Sequence, residues 1–149
     1  MNAQLAIVCD PNRFSARLQH RFVKRPHPAY PYHCAWLVGD RMFDMNWLFR
    51  EIPADEYAGR TVFVFEAPAA IGIDYLRGMV GKRHYGTLDV ALYPILTPLG
   101  FNAPGTHCAE AINDDLWFHG YRTPWIPYGA PPDPSDMLWW GFEQLRRVM

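Results

Sequence analysis

The stretch Tyr32-His33-Cys34-Ala35-Trp36-Leu37-Val38-Gly39-Asp40-Arg41-Met42-Phe43-Asp44-Met45-Asn46 decides how the chain is read. Two strand-like runs meet at Gly39-Asp40, the pattern of a β-hairpin. Side chains alternate along a strand, so His33, Ala35 and Leu37 share one face. If the turn holds an even number of residues, directly paired positions have an odd sum. Asp44 and Asn46 then fall on the face of His33, Asn46 roughly opposite it and Asp44 diagonal to it, within reach of the imidazole. A histidine whose second ring nitrogen is held by a carboxylate or an amide is the orienting half of a catalytic triad. Asp44 is the first choice for that third residue and Asn46 the second. The competing reading is a hydrogen-bonded structural histidine.

The nucleophile to match lies in Pro104-Gly105-Thr106-His107-Cys108-Ala109-Glu110-Ala111-Ile112. This stretch reads as a loop broken at Pro-Gly that enters a helix. Cys108, Ala111, Ile112 and Leu116 have the spacing of one buried helical face. Thr106 is the expected N-cap and Gly120 the expected stop. Cys108 therefore falls in the first turn, where unsatisfied N–H groups and the positive end of the macrodipole favour a thiolate. A buried cysteine that merely fills space is the alternative. Cys34 is a rival nucleophile, but alternation turns it away from the face of His33, and Cys9 sits in an apolar strand. His84 is a second candidate base, in a basic loop where histidines are usually solvated.

Composition narrows the classes. The chain has 149 residues, half of them hydrophobic and 15% aromatic, enough for one packed domain. Fourteen basic and 15 acidic residues give a net charge of −1, which gives no footprint for nucleic acid. No apolar run approaches a membrane span. Three widely spaced cysteines do not form a disulfide framework. No CxxC or HxxxH spacing indicates a metal, and no cofactor is expected. A metal site built from His33, Cys34, His107 and Cys108 would need both His-Cys pairs to converge, which strand alternation argues against. The opening MNAQLAIVCDPNRF lacks the basic leader and long apolar run of a signal peptide, so the expected compartment is the reducing cytoplasm, or the protein leaves the cell by a route that needs no signal peptide.

Elsewhere, Gln4 to Cys9 reads as a buried strand. Phe14 to Val23 reads as a helix with Phe14, Leu18 and Phe22 inward and Arg13, Arg17, Arg21 and Lys24 outward. Pro26, Pro28 and Pro31 hold an extended connection. Trp47 to Ile52 reads as a loop or short helix, and Thr61 to Glu66 as a strand. Ala69 to Val80 reads as a helix with Ile73, Leu76 and Val80 inward, ended by Gly81. The apolar run Leu88 to Leu99 is broken by Pro94 and Pro98. Residues 124–134 form a proline-rich surface segment able to meet partners in extended form, with Trp125 and Tyr128 expected to fold back on the body. Ser135 is expected to cap a last helix, 136–148, with Leu138, Phe142 and Leu145 inward. The fold class expected is α+β, in a single domain.

The order strand, helix, "HCAWLVGDRMFDM" hairpin, strand, helix, "GKRHYG", then "GTHCAEAI" resembles the circularly permuted NlpC-type papain-like cysteine hydrolases, the group that includes the lecithin retinol acyltransferases. The resemblance covers roughly residues 4 to 120. It implies a small antiparallel sheet or half-barrel packed on helices, with the histidine strand preceding the cysteine helix. It implies Cys108 as nucleophile, His33 as base, a polar residue after His33 as its orienter, and Tyr85 beside the site, its hydroxyl able to aid an oxyanion. Cys34 stands where the family is usually aliphatic, and the proline-rich segment is outside the shared pattern. The activity implied is thiolate attack on an amide or peptide bond, with peptidoglycan as the substrate class. Acyl transfer and lipid-ester hydrolysis are the alternatives. Small chains of this type are also similar to open reading frames of tailed bacteriophages. That likeness implies a virion-associated hydrolase, or a virion or tail component that kept the fold without the chemistry and meets other virion proteins through the proline-rich segment.

Overall fold

The computed structural model describes residues 1–84, 107–125 and 132–148. The chain is α+β. Five antiparallel strands, β1 (Gln4–Cys9), β2 (Pro31–Val38), β3 (Arg41–Asn46), β4 (Leu48–Pro53) and β5 (Thr61–Glu66), lie in the order β4-β3-β2-β1-β5. Four helices are described: α1 (Phe14–Phe22), α2 (Ile73–Met79), α3 (Cys108–Phe118) and α4 (Pro134–Gln144), with a 3₁₀ turn at Ala54–Tyr57. Among the described residues no helix is long and apolar enough to cross a membrane. Tyr85, the run Leu88 to Leu99, Thr106 and Tyr128 fall outside the described residues.

The β2–β3 hairpin forms as its sequence dictates. Val38 pairs Arg41 across a two-residue turn, and Gly39 supplies the positive φ (62°) that such a turn needs at its first position. Alternation then sorts the apolar side chains. Leu5, Ile7, Cys9, Cys34, Trp36, Phe43 and Met45 join Ile112, Leu116, Met137 and Leu138 of α3 and α4 in the main core. Ala6, Val8, Ala35 and Met42 face a smaller core closed by Ala16 of α1 and Tyr57 of the 3₁₀ turn. Burying a large apolar side chain contributes about 1.5–3 kcal/mol, so the main core dominates the stability.

Several expectations are corrected. Residues 48–53 form strand β4, not a loop or helix. A one-residue reversal at Trp47 pairs Asn46 with Leu48, and only Phe49 and Ile52 are buried, which hides the period-2 signal. On α1 the row Phe14, Leu18 and Phe22 lies outward (79%, 43% and 43% exposed), while Ala16 packs inward and His20 stacks on Tyr30. A small residue allows α1 to approach the sheet closely, which overrides the apolar spacing. Helix α2 starts at Ile73 and buries Leu76, whereas Val80 is exposed. The last helix starts at Pro134, not after Ser135. Asp133 caps it in a reciprocal capping box with Asp136, and the Ser135 hydroxyl donates instead to the Arg25 carbonyl. Phe142 of that helix is 40% exposed. Trp125 does fold back, edge-on to Trp140.

Helix α4 crosses β5 at Gly141, where a Cβ would lie 2.8 Å from the buried Phe65 ring. Gly141→Ala is therefore expected to destabilise the chain by about 1–3 kcal/mol through overpacking. Thermal melting would show it, and an unchanged Tm would mean that α4 does not approach β5 so closely.

Candidate active site

Helix α3 is buried on almost every side, with Cys108, Ala109, Glu110, Ala111, Ile112, Asn113, Asp115 and Leu116 all inside. Its position is fixed by Asp115. That carboxylate accepts from Trp36 Nε1 of β2 (2.8 Å), from the Tyr75 hydroxyl of α2 (2.7 Å) and from Arg83. A fully buried carboxylate needs such partners, and removing them would strand a charge. The helix N-cap is His107, whose Nδ1 accepts from the Glu110 N–H (3.3 Å). Gly120, at φ 83°, takes the left-handed conformation just past the helix end.

Cys108, the first residue of α3, is 4% exposed. The Cys34, His33 and His107 side chains lie close enough to its sulfur to act on its charge. Alternation along β2 turns Cys34 away from the face of His33, and Cys34 does join the main core, yet both side chains act on the Cys108 sulfur. The described β2–β3 ladder runs only from Val38↔Arg41 to Ala35↔Asp44, so His33 lies where β3 no longer pairs. On its other side, β2 carries a bulge against Val8 and Cys9. Bulges re-aim side chains, and Tyr32 and His33 have ring centroids 6.3 Å apart instead of lying on opposite faces. Although these side chains converge, no group of three or more His, Cys, Asp or Glu with metal-binding arrangement occurs among the described residues.

His33 Nε2 donates to Asp44 Oδ2 at 3.1 Å, which leaves Nδ1 to meet the sulfur. Asn46, the second choice, is exposed on the wall of the adjoining cleft. Asp44 is 1% exposed and anchors a network. It also accepts from Arg50 Nε at 2.7 Å, from a second Arg50 nitrogen at 3.2 Å, and from the Tyr57 hydroxyl. His84 is exposed, its backbone bridged to Leu48, away from this cluster.

The electrostatics follow from these contacts. Burial opposes charge on His33, but the Cys108 sulfur and Asp44 outweigh it and push its pKa up to about 9. The neighbouring Cys34 thiol, the His33 charge and the His107 ring together overcome the effect of burial on Cys108. The Cys108 thiol is thereby held well below its ordinary value. Burial and the neighbouring Cys108 push the Cys34 thiol up. Asp44 would be raised by burial, yet its bonds from His33 and Arg50 hold it well below the usual carboxylate range. All three directions favour charge separation, a thiolate facing an imidazolium oriented by a carboxylate.

Arg50, Tyr57, Cys34 and His107 are the partners that sequence reading missed. The signal for Arg50 was present, because Asp44 and Arg50 are direct cross-strand partners once β4 is read as a strand. Comparison with protein-family models, with curated proteins and with solved structures finds no match to this chain.

Proposed function

We propose that the protein is a cysteine-dependent hydrolase of amide or peptide bonds, built on a permuted papain-like plan. The observation that carries this reading is the Cys108–His33–Asp44 relay, with a depressed thiol on one side of the ring and a fully buried carboxylate on the other. The Cys108 thiolate attacks the carbonyl carbon, and the oxyanion takes up the Cys108 backbone N–H, one of the unpaired donors of a helix start. His33 gives its proton to the departing amine and leaves a thioester. It then takes a proton from water, which displaces the sulfur and releases a carboxylic acid. Peptidoglycan stem peptides are the substrate class that the resemblance implies.

The test is to incubate the protein with purified stem-peptide fragments and with p-nitrophenyl acetate, a generic acyl donor. Release of a new amine, a burst of nitrophenol and an acyl adduct on Cys108 by mass spectrometry are expected, and all three are lost in Cys108→Ala. Turnover that survives Cys108→Ala, or no adduct with either probe, overturns the reading.

A second reading, an interaction module without chemistry, draws on one observation: the outward row Phe14, Leu18 and Phe22 on α1. It gains ground if Cys108 forms no adduct.

A further inference from the structure

Beside His33 lies a cleft of about 380 Å³ on the smaller-core side of the sheet. Arg13, Tyr32, Trp47, Arg50 and Arg60 line it, and the exposed Glu56 is its one carboxylate among the described residues. We propose that this cleft holds the substrate by an anionic group, a carboxylate or a phosphate, gripped by Arg13 and Arg60 and seated against Trp47. The proposal rests on the hydrolase reading above and adds to it the chemical class of the substrate.

The arginines differ in what they already hold. Arg50 is committed to buried Asp44 through two hydrogen bonds. Arg13 gives its Nε to the Ser15 hydroxyl (2.8 Å) and lies over the Tyr32 ring at 4.8 Å. Arg60 lies over the Tyr57 ring at 5.4 Å, and the carboxylate paired with it, Asp10, stands at 4.0 Å. Two guanidinium groups are thus positioned by stacking on tyrosine rings, with most of their donors uncommitted among the described residues. Planar forks of this kind match carboxylate and phosphate oxygens.

Two further observations point to an occupant. Tyr32 is 8% exposed, and its hydroxyl lies beside Arg60 on the cleft wall. An anion between the arginines would accept from that hydroxyl as well. Trp47 is a bulky residue at φ 66°, in the left-handed region, and is 67% exposed on the cleft wall. Such backbone strain tends to cluster at ligand clamps. Here it holds an indole open to solvent next to the candidate base.

The experiment compares iodoacetate, which is anionic, with iodoacetamide, which is neutral, as alkylators of Cys108. Three competitors are titrated against iodoacetate: N-acetylglycinate, phenyl phosphate and the neutral N-acetylglycinamide. The two anions are expected to protect and the amide not, and whichever anion protects at lower concentration identifies the group. In the double variant Arg13→Gln, Arg60→Gln the iodoacetate-to-iodoacetamide rate ratio should fall, and the anions should need roughly tenfold higher concentrations, as expected for losing charge-assisted hydrogen bonds. Protection by the amide equal to that by the anions, or an unchanged double variant, overturns the proposal. If Cys108 alkylates as an ordinary buried thiol, the hydrolase reading fails on its own. Arginine Nε–H NMR shifts titrated with the same three probes then decide the cleft separately, supporting it if only the anions shift Arg13 and Arg60 and overturning it if none does.

Discussion

In the parent protein, iodoacetamide should alkylate Cys108 at a nearly constant rate from pH 6 to pH 8, whereas in His33→Ala the rate should climb with pH across that window. The argument is one of protonation state. A free thiol near pKa 8.5 is mostly protonated below pH 8, so its thiolate fraction climbs roughly tenfold for each unit of pH. In the parent, the neighbouring Cys34 thiol and the His33 charge hold the Cys108 thiol well below its ordinary value, and His33 keeps its proton up to about pH 9. The flat profile is the result expected when that depression keeps the thiolate and the charged ring together across the window. The slope is the better readout, since a thiolate of lower pKa is also a weaker nucleophile and absolute rates partly compensate. His33→Ala leaves Asp44 its bonds from Arg50 and Tyr57, so the fold should persist, as circular dichroism would check. Peptide mapping assigns the adduct to Cys108 and not to Cys9 or Cys34, both also buried. A tenfold slope in the parent, or a flat profile in the variant, would sink the relay.

Why the sequence exposed some of this and hid the rest has a physical basis. The hairpin was legible because its turn demands a glycine and because odd-sum pairing follows from an even turn. That same parity placed Asp44 diagonal to His33. Strand β4 was hidden because Trp47 reverses the chain in a single residue, at a φ that sequence rules reserve for glycine or asparagine. Missing β4 meant missing Arg50, and with it the reason Asp44 can be buried with its charge. The contact of Cys34 with Cys108 was hidden for a related reason. Alternation holds along a regular ladder, and His33 stands where the ladder to β3 has ended and β2 bulges against β1. On α1, spacing identified the helix but not its inward face. Apolar periodicity reports which residues share a side, and packing distance to the sheet chose Ala16 over the aromatic row.

Asp44→Ala should be the most destabilising substitution in the site, at about 3–5 kcal/mol, the usual cost of removing one partner from a buried charged pair. It strands three donors at once. Arg50 loses both its hydrogen bonds, His33 its orienting acceptor and Tyr57 its hydroxyl partner. Since Asp44 is 1% exposed, water cannot take its place without opening the smaller core. For a chain of this length that amounts to a Tm fall of roughly 10 °C. Asp44→Asn keeps the shape and one acceptor oxygen, and should cost about half as much, since hydrogen bonds to neutral groups contribute less than those to charged ones. The acid flank separates the two roles of the carboxylate. Its pKa is depressed in the folded chain, so its contribution is fully present above the unfolded value of about 3.9 and is lost as pH falls toward the lower folded value. The parent should therefore lose stability steeply below about pH 4, and Asp44→Asn should lose it more gradually because that linkage is gone. Equal acid slopes in the two proteins would show that Asp44 is not held as a buried anion. The His33 ring would then lack the carboxylate that fixes its orientation toward Cys108.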